Sequence, residues 1–135
     1  MANYLYPAAK QKFLSGELNW LTDPIVAVLV GTRAYTYSAA HVSMLDLPVE
    51  ARIAASGTLT GRSATLGVVD ADDASFGTVI GNPAQAVVLA TDTGTDATSY
   101  LIAYLDQAGT TLPVNPDGST ITVRWSNGNS KIFCI

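Results

Sequence analysis

With 135 residues the chain is expected to form one domain around one core, because a second folded unit would have to be unusually small. Hydrophobic residues make up 48% and charged residues 13%, about half the usual charged share, which excludes intrinsic disorder. Seven Lys and Arg against eleven Asp and Glu, with no basic run, argue against a nucleic-acid partner; one His and one Cys exclude most multi-ligand metal sites and any intrachain disulfide framework.

Met1 to Pro7 has neither the basic opening nor the apolar stretch of a secretory signal, so the mature protein is expected to begin near residue 1. Pro7 suits the first position of a helix, Ala8 to Leu14 continue it, and Gly16 stops it. Residues 1–16 therefore read as an N-terminal arm and short helix. Ala9 and Phe13 share one face, which needs something to pack on because two turns alone are marginal in water.

The run Ile25 to Val30 is aliphatic, β-branched and bounded by Gly31, the signature of a strand covered on both faces. Its six residues fall far short of the roughly twenty needed for a membrane-crossing helix, so no membrane partner is expected. Tyr35 and Tyr37 lie in a loop or short strand, and His41 to Leu47 allow one helical turn before Pro48. Arg52 to Val69 reads as two or three short strands, with Gly57, Gly61 and Gly67 as hairpin corners or bulges.

Ala84 to Thr91 and Ser99 to Asp106 are two further strands joined by the polar loop Thr91 to Asp96; in the second, Tyr100, Ile102 and Tyr104 share one face. After the turn Asn115-Pro116-Asp117-Gly118, alternation from Thr120 to Trp125 places Ile121, Val123 and Trp125 inward. A turn at Asn127-Gly128 then returns Lys131 to Ile135 antiparallel to that strand. The pattern predicts a mainly β fold, an antiparallel β-sandwich or barrel-like single domain with a short N-terminal helix.

No reaction chemistry is written in these residues. Gly57 to Ser63 superficially resembles a phosphate-binding loop, but the glycine spacing is one residue short, Arg62 replaces the lysine, and a strand rather than a helix follows. Asp70-Ala71-Asp72-Asp73 offers oxygen ligands without the glutamate of a calcium loop and reads as a solvated turn, at most holding an incidental or interface cation. His41 has no nucleophile elbow to serve, and Cys134 sits in the last strand, away from any helix N-terminus; the expectation is no enzyme, cofactor or catalytic residue. A lone cysteine fits a reducing cytosol.

The tyrosines are more informative, because tyrosine combines broad contact area with a polar tip and is favoured at interfaces. Tyr4 and Tyr6 precede the helix where a terminus frays unless it docks. These two, with the terminal sheet edge Lys131, Phe133 and Ile135, are the interface candidates. A carbohydrate-binding sandwich using Trp20 or Trp125 as a platform is a weaker alternative, since Trp125 shares the inward face of its strand.

Several segments also carry a resemblance: Tyr4-Leu5-Tyr6-Pro7, Phe13-Leu14-Ser15-Gly16, Tyr35 to His41, Asp70 to Asp73, Leu101 to Tyr104, Leu112-Pro113-Val114, and Trp125 to Gly128 with Ile132-Phe133. Together they resemble a small virion structural protein of tailed bacteriophages, most like a head decoration or cement protein. The resemblance implies a β-rich clamp on the outside of the phage head, bound to the major capsid protein and assembled in the host cytoplasm. It also implies a homo-oligomer, with a trimer favoured; a tail or head–tail connector component is the alternative. It supplies no catalytic residue.

Overall fold

The computed structural model describes residues 3–31, 33–81, 83–106, 115–125 and 132–134. Its elements in chain order are β1 (Asn3–Leu5), α1 (Pro7–Leu14), β2 (Ile25–Val30), β3 (Arg52–Ala55), β4 (Ser63–Thr65), β5 (Val68–Asp70), β6 (Ala74–Thr78), β7 (Ala86–Thr91), β8 (Leu101–Leu105), β9 (Thr120–Val123) and β10 (Phe133–Cys134). Short 3-10 turns lie at Met44–Asp46, Val49–Ala51 and Asp96–Thr98. The fold is mainly β with one short helix, as the sequence predicts, and no closed barrel forms among the described residues.

The main sheet is antiparallel in the order β1-β8-β7-β2-β3. Every residue of β2, β7 and β8 is buried, so these strands are dry on both faces and hold the centre of the core. Their continuous Val, Leu, Ile and Ala content follows from that position, since an alternating strand would bury polar groups on one face. Two smaller antiparallel sheets complete the strand pairing, β10-β5-β4 and β6-β9.

The helix starts at Pro7 and ends in a turn closed by Gly16 at φ +81°, where the amides of Ser15, Gly16, Glu17 and Leu18 return to carbonyls of the last turn. Ala9 is buried and Phe13 packs near Phe133, the docking that so short a helix requires. In β9 the alternation holds residue by residue, with Ile121, Val123 and Trp125 inside and Thr122 and Arg124 outside.

One sequence expectation changes. The last strand does not return beside β9: Phe133 and Cys134 pair with Val69 and Val68, while β9 pairs with β6. Pairing on β5 lets Phe133 meet Trp20 edge to face at 5.5 Å, an aromatic contact that the hairpin register does not specify. Strand β6 was not foreseen, since its Ala74-Ser75-Phe76-Gly77-Thr78 has too few β-branched residues to stand out.

Polar groups fasten the connections. The Trp20 and Trp125 indole N–H groups donate to the carbonyls of Asp70 and Asp72, and Arg62 donates to the carbonyls of Trp20 and Asp23. The Arg52 guanidinium donates to the Met44 and Leu47 carbonyls and to the Asp96 carboxylate at 3.1 Å. Gly61, at φ +61°, lies so close to the Asp72 carboxylate that a Cβ would overlap it.

Removing the centre of β7 tests this core: Leu89→Ala is expected to cost about 2–5 kcal/mol in urea unfolding, the range of a buried leucine truncation. Gly61→Ala combines an unfavourable φ with the Asp72 overlap and should cost about 1–3 kcal/mol in the same assay. A Gly61→Ala protein as stable as the parent contradicts the described loop packing.

Candidate interaction surface

Most large apolar side chains are buried, which makes the few exposed ones informative. Three of them matter here: Leu14 at the end of α1 is 81% exposed, Leu21 is 51% exposed, and Leu66 at the tip of the β4–β5 hairpin is 99% exposed. An apolar groove of about 340 Å³ takes in Leu14 and Leu21 and reaches Gly67, the residue after Leu66. Phe13, Leu18, Trp20, Ala64 and Val69 line it together with Leu14 and Leu21.

The groove is built from fixed parts. Asn19 Oδ1 accepts the amides of Leu21 and Thr22, and Asp23 accepts the Asn19 amide, so the wall carrying Leu21 is a closed side-chain turn. Arg62 ties that turn to the start of the hairpin through the Trp20 and Asp23 carbonyls. Just past the end of α1, Glu17 takes a hydrogen bond from Ser15 and lies 3.6 Å from Lys12. The Ser15 hydroxyl, then the Lys12 charge, holds this exposed carboxyl below its ordinary range.

Leu66 departs from what folding alone would choose. It has φ +53° and precedes Gly67 at φ +83°, the two left-handed positions of a two-residue hairpin turn. Asn or Gly suits the first of these positions, whereas a leucine strains the backbone there and presents its whole side chain to water. Neither hairpin stability nor solubility accounts for a leucine at this spot.

The residues singled out in the sequence fall into different places. Tyr4 is 45% exposed on edge strand β1 and stacks on Tyr37 with centroids 4.5 Å apart. Tyr6 is fully buried and Phe133 is buried, so both serve the core of their own chain, and the expectation that they face a neighbour gives way to that role. Lys131 and Ile135 lie outside the described residues. Strand β10 stands at the end of its sheet, but β5 and the Phe13–Trp20 wall occupy Phe133.

The other candidates have structural partners. The Tyr6 hydroxyl lies 2.7 Å from that of Tyr35, which lies 2.7 Å from His41 Nδ1. Burial, then the bond to Tyr35, pushes the Tyr6 phenol far above its ordinary range. Asp72 accepts from Thr60 and Asp73 from the Trp125 amide; among the described residues no three His, Cys, Asp or Glu converge. The loop 57–62 leads into a hairpin rather than a helix, and both tryptophans are buried. Among the described residues no helix is long and apolar enough to cross a membrane.

Sequence reading missed Leu14, Leu21 and Leu66. The available signal was Leu66-Gly67, a leucine where a turn between two short strands favours Asn-Gly. Compared with models of known protein families and with curated protein sequences, the chain matches none.

Replacing the strained leucine separates its effect on folding from its effect on the exposed apolar surface. Leu66→Asn should raise stability by about 1 kcal/mol in urea unfolding. The same change should reduce the fluorescence of an apolar dye bound to the native protein. Unchanged dye binding would show that Leu66 does not contribute to the accessible apolar surface.

Proposed function

We propose that this chain works by adhesion, as a virion structural protein of a tailed bacteriophage that binds the major capsid protein on the outside of the head and stabilises the shell. The observation that carries the adhesive part is Leu66, held in a costly backbone conformation, fully exposed, beside a preformed apolar groove. The phage assignment is supported by the sequence resemblance from Tyr4-Leu5-Tyr6-Pro7 through Ile132-Phe133.

Adhesion by many copies needs no strong single contact. Apolar area buried at each seat contributes association free energy, and repetition over a closed shell multiplies it through effective concentration. A symmetric homo-oligomer, with a trimer favoured, would present the groove several times in one cap. Tyr4, half-exposed on the edge strand, supplies a second contact point.

Purified particles test this directly. Mass spectrometry should find the chain in hundreds of copies per virion, whereas about six or twelve copies would indicate a ring at the connector or tail instead. Heads carrying Leu14→Ser, Leu21→Ser and Leu66→Ser together should retain fewer copies and lose integrity at lower temperature. Particles that lack the chain altogether refute the phage assignment, and full retention of the triple variant refutes the groove as the seat.

A further inference from the structure

We propose that the Tyr6–Tyr35–His41 chain is a proton-sensitive latch, holding the N-terminal arm on the main sheet at neutral pH and loosening it on acidification. Tyr6 is the joint of that arm: it follows β1, its carbonyl accepts the first amides of α1, and its own amide donates to Ile102 of β8. Beyond these bonds the arm is held by the three-residue pairing of β1 with β8, by the stacking of Tyr4 on Tyr37, by the Tyr37 hydroxyl on the Leu5 carbonyl, by the docked helix and by the Tyr6 hydroxyl. The Tyr6 hydroxyl is the tie that leads on through Tyr35 to an imidazole.

Hydrogen counting fixes the direction of the chain. Tyr6 is 0% exposed, and among the described residues its hydroxyl has one hydrogen-bond partner, Tyr35. To satisfy its proton Tyr6 must donate to Tyr35, and Tyr35 must then donate to His41 Nδ1. Nδ1 is therefore bare in the neutral ring, whose proton sits on Nε2.

A solvent proton taken up by the partly buried His41 lands on Nδ1 and removes the acceptor of Tyr35. Nδ1–H now donates to the Tyr35 oxygen, the Tyr6 and Tyr35 hydroxyls have only each other to bond, and one of their two protons is left without an acceptor in a dry site. An orphaned buried donor is costly, and this pair sits at the root of the arm.

Titratable groups stand around the ring. The Tyr35 ring lies against His41 at 5.3 Å. Asp46, from the neighbouring 3-10 turn, is close enough for the two charges to interact. The Val42 and Ser43 amides hold its carboxylate in place, so it does not supply the acceptor that the Tyr6–Tyr35 pair has lost. Behind Tyr35 stand Tyr37 and Tyr104, the latter influenced by Asp106; burial raises both phenols, which stay neutral throughout. Loosening of β1 would uncover the outer edge of β8, a row of backbone groups that another strand can pair with.

His41 is the single histidine, so its ring nitrogens can be read without ambiguity by nitrogen NMR of the intact protein at about pH 7.5. The expected result is the Nε2–H tautomer; the Nδ1–H tautomer overturns the latch. Amide exchange then measures the arm. After correction for intrinsic rates, protection of residues 3–14 should fall about tenfold between about pH 7.5 and 5, while β2 and β7 hold. Tyr35→Phe should show the low protection already at the higher pH, and His41→Gln, which takes up no proton, should give no pH response. Unchanged protection in the parent, or an equal fall in His41→Gln, refutes the latch.

Discussion

Strands β2, β7 and β8 have no wet face. Each residue in them is buried, so the chain must supply covering material on both sides of one sheet from a total of 135 residues. Much of the remaining architecture answers that demand. The helix has eight residues and could not persist alone; the two small sheets are short; each gains its order by packing on apolar neighbours. The polar fastenings then sit at the borders. Trp20 and Trp125 each place a large ring in the core and use their one donor to hold a backbone carbonyl beside Asp70 to Asp73.

A fold organised this way has little apolar material to spare, which gives weight to where it is left outside. Leu14 ends a helix and Leu21 sits in a closed turn, both lining one groove, and Leu66 crowns the hairpin whose Gly67 reaches the same groove. Polar side chains would be accepted at each without disturbing the core. The low charged content fits the same economy, since a surface poor in Lys and Glu associates readily with another of its kind.

What the sequence disclosed depended on whether the signal was local. The helix from Pro7 to Leu14, the buried strand from Ile25 to Val30 and the alternation from Thr120 to Trp125 are carried by adjacent residues, and all three are present. The partner of the last strand was not legible, because Phe133 chooses β5 through contacts with Phe13 and Trp20 more than a hundred residues away. Tyr6 shows the same limit from the other side: a tyrosine near a terminus suits a core and an interface equally, and only the hydroxyl of Tyr35 decides between them. The groove was hidden because leucines at 14, 21 and 66 form no spacing pattern, although the strained Leu66-Gly67 pair left a trace.

Arg52 joins segments that would otherwise come apart separately. One guanidinium grips two carbonyls of the 44–47 turn and a carboxylate from the loop between β7 and β8, so neither segment can open without releasing the other. Their fluctuations are thereby merged into a single cooperative event, rarer than either loop would show by itself. A nicking protease, which needs several residues drawn out as an extended strand, would find both loops closed together.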